Sequence, residues 1–298
     1  MGDVGMTVAA LLAVHNRKDK TLACLESIRG QEGDWEDLDV FVLDDASSDG
    51  TAEAIRERFP EVHILAGSGS DFWSGGMRKA FDAASKRDYD FYLWLNDDTK
   101  LDDNALTKLF DTYRRLRDEG LEASIVAGST RDPETRTLSY GGVHRPHPLR
   151  RFKFELVRPG LEPRQAETMN GNIVLIPRQV FQRVGNLDAG YVHSMGDFDY
   201  GLRARQRGCD VWIVPGTVGE CRRNPHGAGV AGRVVRPRGE ELRELFSPRE
   251  LPARSWWTFA RRWGGRLWFA YWLHPYIRRT ARIVFQLKGV RRGDHIAH

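Results

Sequence analysis

The chain has 298 residues, 41% of them hydrophobic and 29% charged, with a formal net charge of +4. That is enough apolar material for a sizeable core in one large domain or two small ones, and it excludes a disordered chain or a small disulfide scaffold. Three cysteines without paired spacing, Cys24, Cys209 and Cys221, fit a reducing, cytoplasmic setting and supply no Cys-x-x-Cys metal knuckle.

The first predicted element is a strand at Val8–Val14, with no basic leader before it. The longest later apolar run, Leu267–Leu273, is far short of the roughly 20 residues that span a bilayer, so no membrane-crossing segment is expected. Further strands at Val40–Leu43, His63–Leu65 and Phe91–Leu95 alternate with helical patterns at Lys18–Arg29, Thr51–Phe59, Gly76–Arg87 and Asn104–Arg117. This alternation predicts a mostly parallel sheet flanked by helices. Ser47, Ser48 and Asp49 are read as the N-cap of the second helix. The stretch Thr130–Arg164, rich in Gly, Pro, Arg and His, predicts hairpins and loops over a cleft. A strand at Gly171–Ile176, a helix at Arg178–Val184, a helix starting near Asp197 and a strand at Val211–Val214 follow.

From Pro248 the composition turns to Trp, Tyr and Arg, with five of the nine tryptophans. Residues 248–298 carry 11 Lys+Arg against 2 Asp+Glu, and residues 1–247 carry 34 against 39. We therefore divide the chain into a body, 1–230, and a basic, Trp-rich helical extension, 231–298. A basic tail suits an anionic partner, whereas the acidic body argues against whole-surface nucleic-acid binding, and no nucleic-acid partner is expected. Trp256, Trp263, Leu267 and Tyr271 share one face of a continuous helix, with Arg262 and Arg266 opposite. Such a helix either packs on protein or makes a peripheral contact with an anionic membrane.

In open α/β sheets ligands collect beyond the carboxyl ends of the strands, so His15-Asn16, Asp44-Asp45 and Asn96-Asp97-Asp98 are expected to converge on one nucleotide cleft. The carboxylates of Asp97 and Asp98 suit Mg²⁺ or Mn²⁺ tied to a diphosphate, or else an Asx turn that caps the next helix. Asp44 and Asp45 repeat the arrangement; with Ser47–Asp49 assigned to capping, they are left for a base or a ribose. Gly75-Gly76 reads as a turn whose amides approach phosphate, with Arg78 in the first turn of the helix beyond, or simply as a turn. Asp197 and Asp199 begin a helix, where acids are favoured by the dipole; Asp197 is the better candidate general base, and Asp199 is placed to pair with Arg203.

Four motifs, "AVHNR" at Ala13–Arg17, "VLDDASSDGT" at Val42–Thr51, "LNDDT" at Leu95–Thr99 and "GDFDYGLRARQRG" at Gly196–Gly208, occur in an order and spacing that resembles the family-2 glycosyltransferases. The segment Trp73–Met77 and the helix Asp197–Arg203 look most like the rhamnosyl- and galactofuranosyl-transferase-like members. The resemblance implies a GT-A fold and inverting transfer from a nucleoside-diphosphate sugar to a carbohydrate, lipid-linked or small-molecule acceptor in cell-surface polysaccharide or glycoconjugate synthesis. It implies that Val14, His15, Asn16 and Asp45 hold base and ribose, that Asp98 beside Asp97 binds the metal, and that Asp197 is the base. Related sequences often carry a metal-contacting histidine about 24 residues past the base; Cys221 takes that offset here. A soft thiolate suits Mg²⁺ poorly, which makes His226 the expected ligand. Two other classes compete: a nucleotidyltransferase, which would want a Gly-rich, Lys-containing loop that "AVHNRKDK" lacks, and a non-catalytic lipid or nucleic-acid binder.

Overall fold

Strand β1 (Met6–Val14) is apolar at nearly every position, as a strand covered on both faces must be, and it runs parallel between β2 (Trp35–Asp44) and β4 (Phe91–Leu95). Its side chains alternate between two cores: Val8, Ala10, Leu12 and Val14 enter one, Ala9 and Leu11 the other. Strand β4 divides in the same way, Phe91, Leu93 and Leu95 to the first core, Tyr92 and Trp94 to the second. The computed structural model describes residues 5–147, 150–223 and 252–285. The chain divides into two compact units, Met1–Asn224 and Pro225–His298.

In the first unit, the first core is closed by α1 (Lys18–Arg29), α2 (Thr51–Arg58) and α4 (Ala105–Asp118), through residues such as Leu25, Ile55 and Phe110. The second is closed by α3 (Phe72–Ala84), α5 (Arg178–Val184) and α6 (Gly196–Gln206), through Phe81, Val180 and Tyr200. Further strands are β3 (His63–Ala66), β5 (Lys100–Leu101), β6 (Ser124–Ala127), β7 (Thr130–Arg131), β8 (Leu138–Tyr140), β9 (Gly142–His144), β10 (Glu155–Leu156), β11 (Arg164–Ala166), β12 (Thr168–Met169), β13 (Ile173–Pro177), β14 (Asp210–Ile213) and β15 (Gly219–Glu220). The main sheet has the order β11-β14-β6-β13-β4-β1-β2-β3. It is parallel from β4 to β3 and mixed beyond, because β13 is antiparallel to both β4 and β6. The expected mixed α/β class, with a helical C-terminal region, is the one observed.

Register decides where a ligand site can lie. Val14 pairs with Asp44, Asp44 with Ala66, and Leu95 with Ile173. The loops that follow β1, β2, β3 and β4, and the residues just before β13, therefore open on one edge of the sheet. Two small sheets, β10-β9-β12 and β5-β15-β7-β8, draw β7 to β10 from the stretch read from sequence as hairpins and loops, and β7 and β8 form an antiparallel hairpin there. Strand β6 was not anticipated, since four residues give too little pattern to recognise; its burial on every side chain identifies it as a central strand.

Helix α3 begins at Phe72, four residues before its expected start. Gly75 and Gly76 are inside the helix, not in a turn ahead of it. At Gly76 an added Cβ would lie 2.8 Å from the Ala13 Cβ and 3.0 Å from Leu43 Cδ2, so glycine is there to let the helix lie close on β1 and β2.

In the second unit, the continuous helix expected over Trp256–Tyr271 is broken into α7 (Ala253–Trp263) and α8 (Trp268–Phe285) by Gly264 and a short 3₁₀ turn, Gly265–Leu267. Gly265 has φ +65°, and a Cβ on Gly264 would come within 2.5 Å of the Ala260 carbonyl oxygen. The two helices pack together: Trp256 Nε1 donates to the Trp272 carbonyl at 3.0 Å, and the Trp257 ring meets those of Trp268 and Trp272 edge-on. Trp256 and Trp263 are buried while Leu267 is 61% exposed, so the four residues expected on one aromatic face do not share an environment.

Gly76→Ala should keep the fold but lower stability by about 1–3 kcal/mol, the usual cost of overpacking a tight contact, as measured by urea unfolding.

Candidate active site

The loops at the sheet edge are stapled to one another by polar groups. The Asn16 amide donates to Ser47 Oγ at 3.0 Å, the Ser48 amide donates to Asn16 Oδ1 at 2.7 Å, and the Lys18 amide donates to Asp49 Oδ2 at 3.0 Å. The Ser47–Asp49 cluster joins the start of α1 to the β2–α2 loop, and Asp49 Oδ1 also accepts from the amide of Thr51, the first residue of α2, at 3.1 Å, although the N-cap position itself is Gly50. His15 Nδ1 lies 2.7 Å from the Asp45 carbonyl oxygen, and the Val14 carbonyl accepts from the Asp45 amide at 2.9 Å.

Asp44 and Asp45, read from sequence as free of structural duty, both have one. Asp44 Oδ1 accepts from the Ser47 amide at 3.0 Å. Asp45 accepts three backbone amides, Gly69 at 2.7 Å and Asp71 at 3.1 Å on Oδ1, and Phe72 at 2.8 Å on Oδ2. Only backbone coordinates can reveal this, because the donors lie 24 to 27 residues away in a loop without sequence signature.

The glycine phosphate turn is corrected here. The amides of Ser74 and Gly75 both donate to the Val192 carbonyl, at 3.0 and 3.2 Å, so this end of α3 is tied to the segment before α6. Arg78, expected in the first helical turn, is the seventh residue of α3 and so falls in the second.

The Asp97-Asp98 pair follows β4 and is nearly enclosed, with side chains 8% and 5% exposed. One nitrogen of the Arg17 guanidinium donates to both, to Asp97 Oδ1 at 3.0 Å and to Asp98 Oδ2 at 3.1 Å. Burial pushes the Asp97 carboxyl up to about 6, the Asp98 charge adds to the rise, and Arg17 opposes it. On the far side of Asp98, β15 pairs with β5 and brings Cys221 Sγ within 3.4 Å of Asp98 Oδ1. Burial, reinforced by Asp98, pushes this thiol up to about 12. With no metal bound it is a protonated donor to the carboxylate. Nearby, the buried Cys24 thiol lies 3.5 Å from the Asn96 carbonyl oxygen.

These donors bear on the metal that the fold family implies. Two hard carboxylates fit Mg²⁺ or Mn²⁺, which is commonly held by one or two carboxylates and completed by substrate phosphates and water. Cys221, a soft sulfur donor, is a poor match for either ion. Among the described residues no group of three His, Cys, Asp or Glu residues is arranged to hold a metal, and His226 lies outside them. A cleft of about 430 Å³ opens beside Asp98; Lys20, Lys100 and Arg222 stand on its walls together with Glu134 and Glu220, and Arg222 is paired with Glu134.

Asp197 is the second residue of α6, after Gly196 and the N-cap residue Met195, which has φ +72°. Its Oδ2 accepts from the Gly171 amide at 3.0 Å and its Oδ1 from its neighbour Phe198 at 2.8 Å. Burial pushes this carboxyl up to about 6 against the pull of those two amides. Asp199, fully buried, instead accepts from Tyr191 Oη at 2.9 Å and pairs with Arg203 Nε at 2.8 Å, the structural role expected for it.

Trp73, quoted in a motif but given no role from sequence, links the two acidic centres. Its Nε1 donates to Asn96 Oδ1 at 2.6 Å, and its ring covers Gly171, where an added Cβ would stand 2.3 Å from Trp73 Cζ2 and 3.5 Å from Asp197 Cβ. Among the described residues, Asn16, Ala46, Phe72 and Met195 are four of the five non-glycine residues with positive φ, and all four border this edge. Such strain gathers where a site is held in a fixed shape.

Asp45→Asn, which removes one acceptor oxygen beneath three amides, should cost about 1–3 kcal/mol, seen as a lowered melting temperature without any ligand. Gly171→Ala should lower the melting temperature and turnover together, because the Trp73 ring or the amide that positions Asp197 has to shift.

Residues 10–184 match the family described as glycosyl transferase family 2. The chain is also 25% identical over 201 residues to the N-acetylglucosaminyl-diphospho-decaprenol L-rhamnosyltransferase of Mycobacterium tuberculosis, in both the CDC 1551 and H37Rv strains. That match covers 60% of this chain and 64% of the relative, so the chain spans less than two thirds of the relatives' length. With a family match over more than half of its residues, on a sheet whose edge gathers the paired aspartates and Asp197, the chain belongs to glycosyl transferase family 2.

Proposed function

We propose that the protein is an inverting glycosyltransferase that moves a sugar from a UDP- or dTDP-sugar to an acceptor hydroxyl. The observation that carries this is Asp197: a carboxyl raised towards neutrality, oriented by the Gly171 amide and linked through Trp73 to the strand end that bears Asp97 and Asp98. A general base works best when its pKa lies near the working pH, and burial has moved Asp197 in that direction.

In this reading the Asp197 carboxylate takes the proton of the acceptor hydroxyl as its oxygen attacks the anomeric carbon. The new carbon–oxygen bond forms on the face opposite the bond to the diphosphate, which breaks, so the configuration inverts and no enzyme nucleophile is needed. Negative charge grows on the departing diphosphate. Lys20 and Lys100 line a cleft beside Asp98 and would meet that charge, offset in part by Glu134 and Glu220 on the same walls. Mg²⁺ or Mn²⁺ held by Asp97 and Asp98 would supply further charge neutralisation there. In this reading His15 and Asn16, at the end of β1 and tied to the β2–α2 loop, hold base and ribose.

The relative's name specifies an acceptor whose sugar is attached through diphosphate to decaprenol and a transferred L-rhamnose. We extend to this chain a lipid-linked sugar acceptor and a place in the synthesis of cell-surface polysaccharide or glycoconjugate.

Thermal shift against UDP, dTDP, GDP, ADP and CDP, with and without Mn²⁺, should give a Mn²⁺-dependent rise with one nucleotide; no rise with any of them would remove this reading. Asp197→Asn should bind that nucleotide as before and lose about a hundredfold or more in turnover. Above about 6 Asp197 is ionised and competent. Below that it is protonated, so kcat/KM should fall about tenfold per pH unit as the medium is made more acidic.

A further inference from the structure

The second unit retains apolar surface after its own aromatic residues have packed. Trp256, Phe259, Trp263 and Tyr276 are buried, yet Leu267 is 61%, Phe269 55%, Leu273 44% and Ile277 58% exposed. Phe269, Leu273 and Ile277 are spaced four residues apart on α8, so they form a stripe along one side of that helix. Single exposed apolar residues are ordinary, but a contiguous row is a docking surface.

Charge indicates what docks. Residues 252–285 contain seven arginines and no aspartate or glutamate. Arg254, Arg261, Arg266 and Arg278 are exposed, with Arg266 directly before Leu267 and Arg278 directly after Ile277. Two copies of this surface would bring like charges together, which disfavours self-association through it. An apolar stripe flanked by arginines and aromatic rings is the composition of a helix that lies in the headgroup region of an anionic bilayer. No helix among the described residues is long and apolar enough to cross a membrane.

We infer that the second unit lies on an anionic phospholipid surface, inserting Phe269, Leu273 and Ile277 of α8 into the interface while the arginines meet lipid phosphates. The inference does not depend on the transfer reaction, and its test can fail while that reading stands.

The test is co-sedimentation of the full chain with vesicles of phosphatidylcholine alone and of phosphatidylcholine with phosphatidylglycerol. The chain should partition about tenfold or more in favour of the anionic vesicles, less so as salt is raised. The triple variant F269S/L273S/I277S should lose about tenfold or more of that partitioning, and R266E/R278E should lose the preference for anionic lipid, both with unchanged far-UV circular dichroism. Equal binding to both vesicle types, or partitioning untouched by the triple variant, overturns the proposal. So does a soluble dimer that the triple variant converts to monomer without any vesicle binding, which would assign the stripe to a second copy of the chain.

Discussion

The Asp45 carboxylate, with three backbone amides converging on it, is the fixed point on which the sheet edge depends. It joins the end of β2 to the turn that launches α3, and α3 carries Trp73 to Asn96 and Gly171. Gly171 in turn holds Asp197 through its amide. A buried carboxylate saturated by N–H donors is costly to disturb, because each donor left unpaired forfeits its hydration without return. The general-base candidate is thereby positioned through a chain of contacts that begins on a different strand, some 150 residues earlier in sequence. The closeness of α3 to β1 and β2, made possible by the missing Cβ at Gly76, keeps that chain short.

A second constraint is electrostatic. Asp97 and Asp98 bring two negative charges into a nearly enclosed corner, and one arginine at 3.0 and 3.1 Å offsets them. The Cys221 thiol completes the enclosure by donating to the oxygen that Arg17 leaves open. The acidic pair is thus held in shape by the protein itself, before any ligand arrives.

Periodicity made the parallel half of the sheet legible. The apolar runs of β1 and β4 and the helical patterns between them are long enough for period 2 and period 3.6 to be told apart. The position of Asp97, Asp98 and Asp197 at one edge of the sheet was legible because they stand where strands or loops end. The glycines misled. Gly75-Gly76 resembles a turn, and only the distances to Ala13 and Leu43 show that it serves helix–strand packing. The roles of Asp44 and Asp45 escaped because their partners are backbone amides, which have no identity in a sequence. Trp73 escaped for a related reason, since its meaning lies in Gly171, a residue without a side chain. In the second unit, charge and aromatic content were readable, but the break at Gly264-Gly265 redistributed which aromatic residues are covered and which are not.

All three cysteines are unpaired and buried, and burial raises the thiol pKa of each. Alkylating reagents attack the thiolate, so the native side chains of Cys24, Cys209 and Cys221 should be slow to react. A single cysteine introduced at an exposed position would then be labelled selectively in the otherwise native chain. Fluorophores or spin labels could be placed one at a time along α8, or on the loops around Asp98, without first removing the thiol that supports the acidic pair.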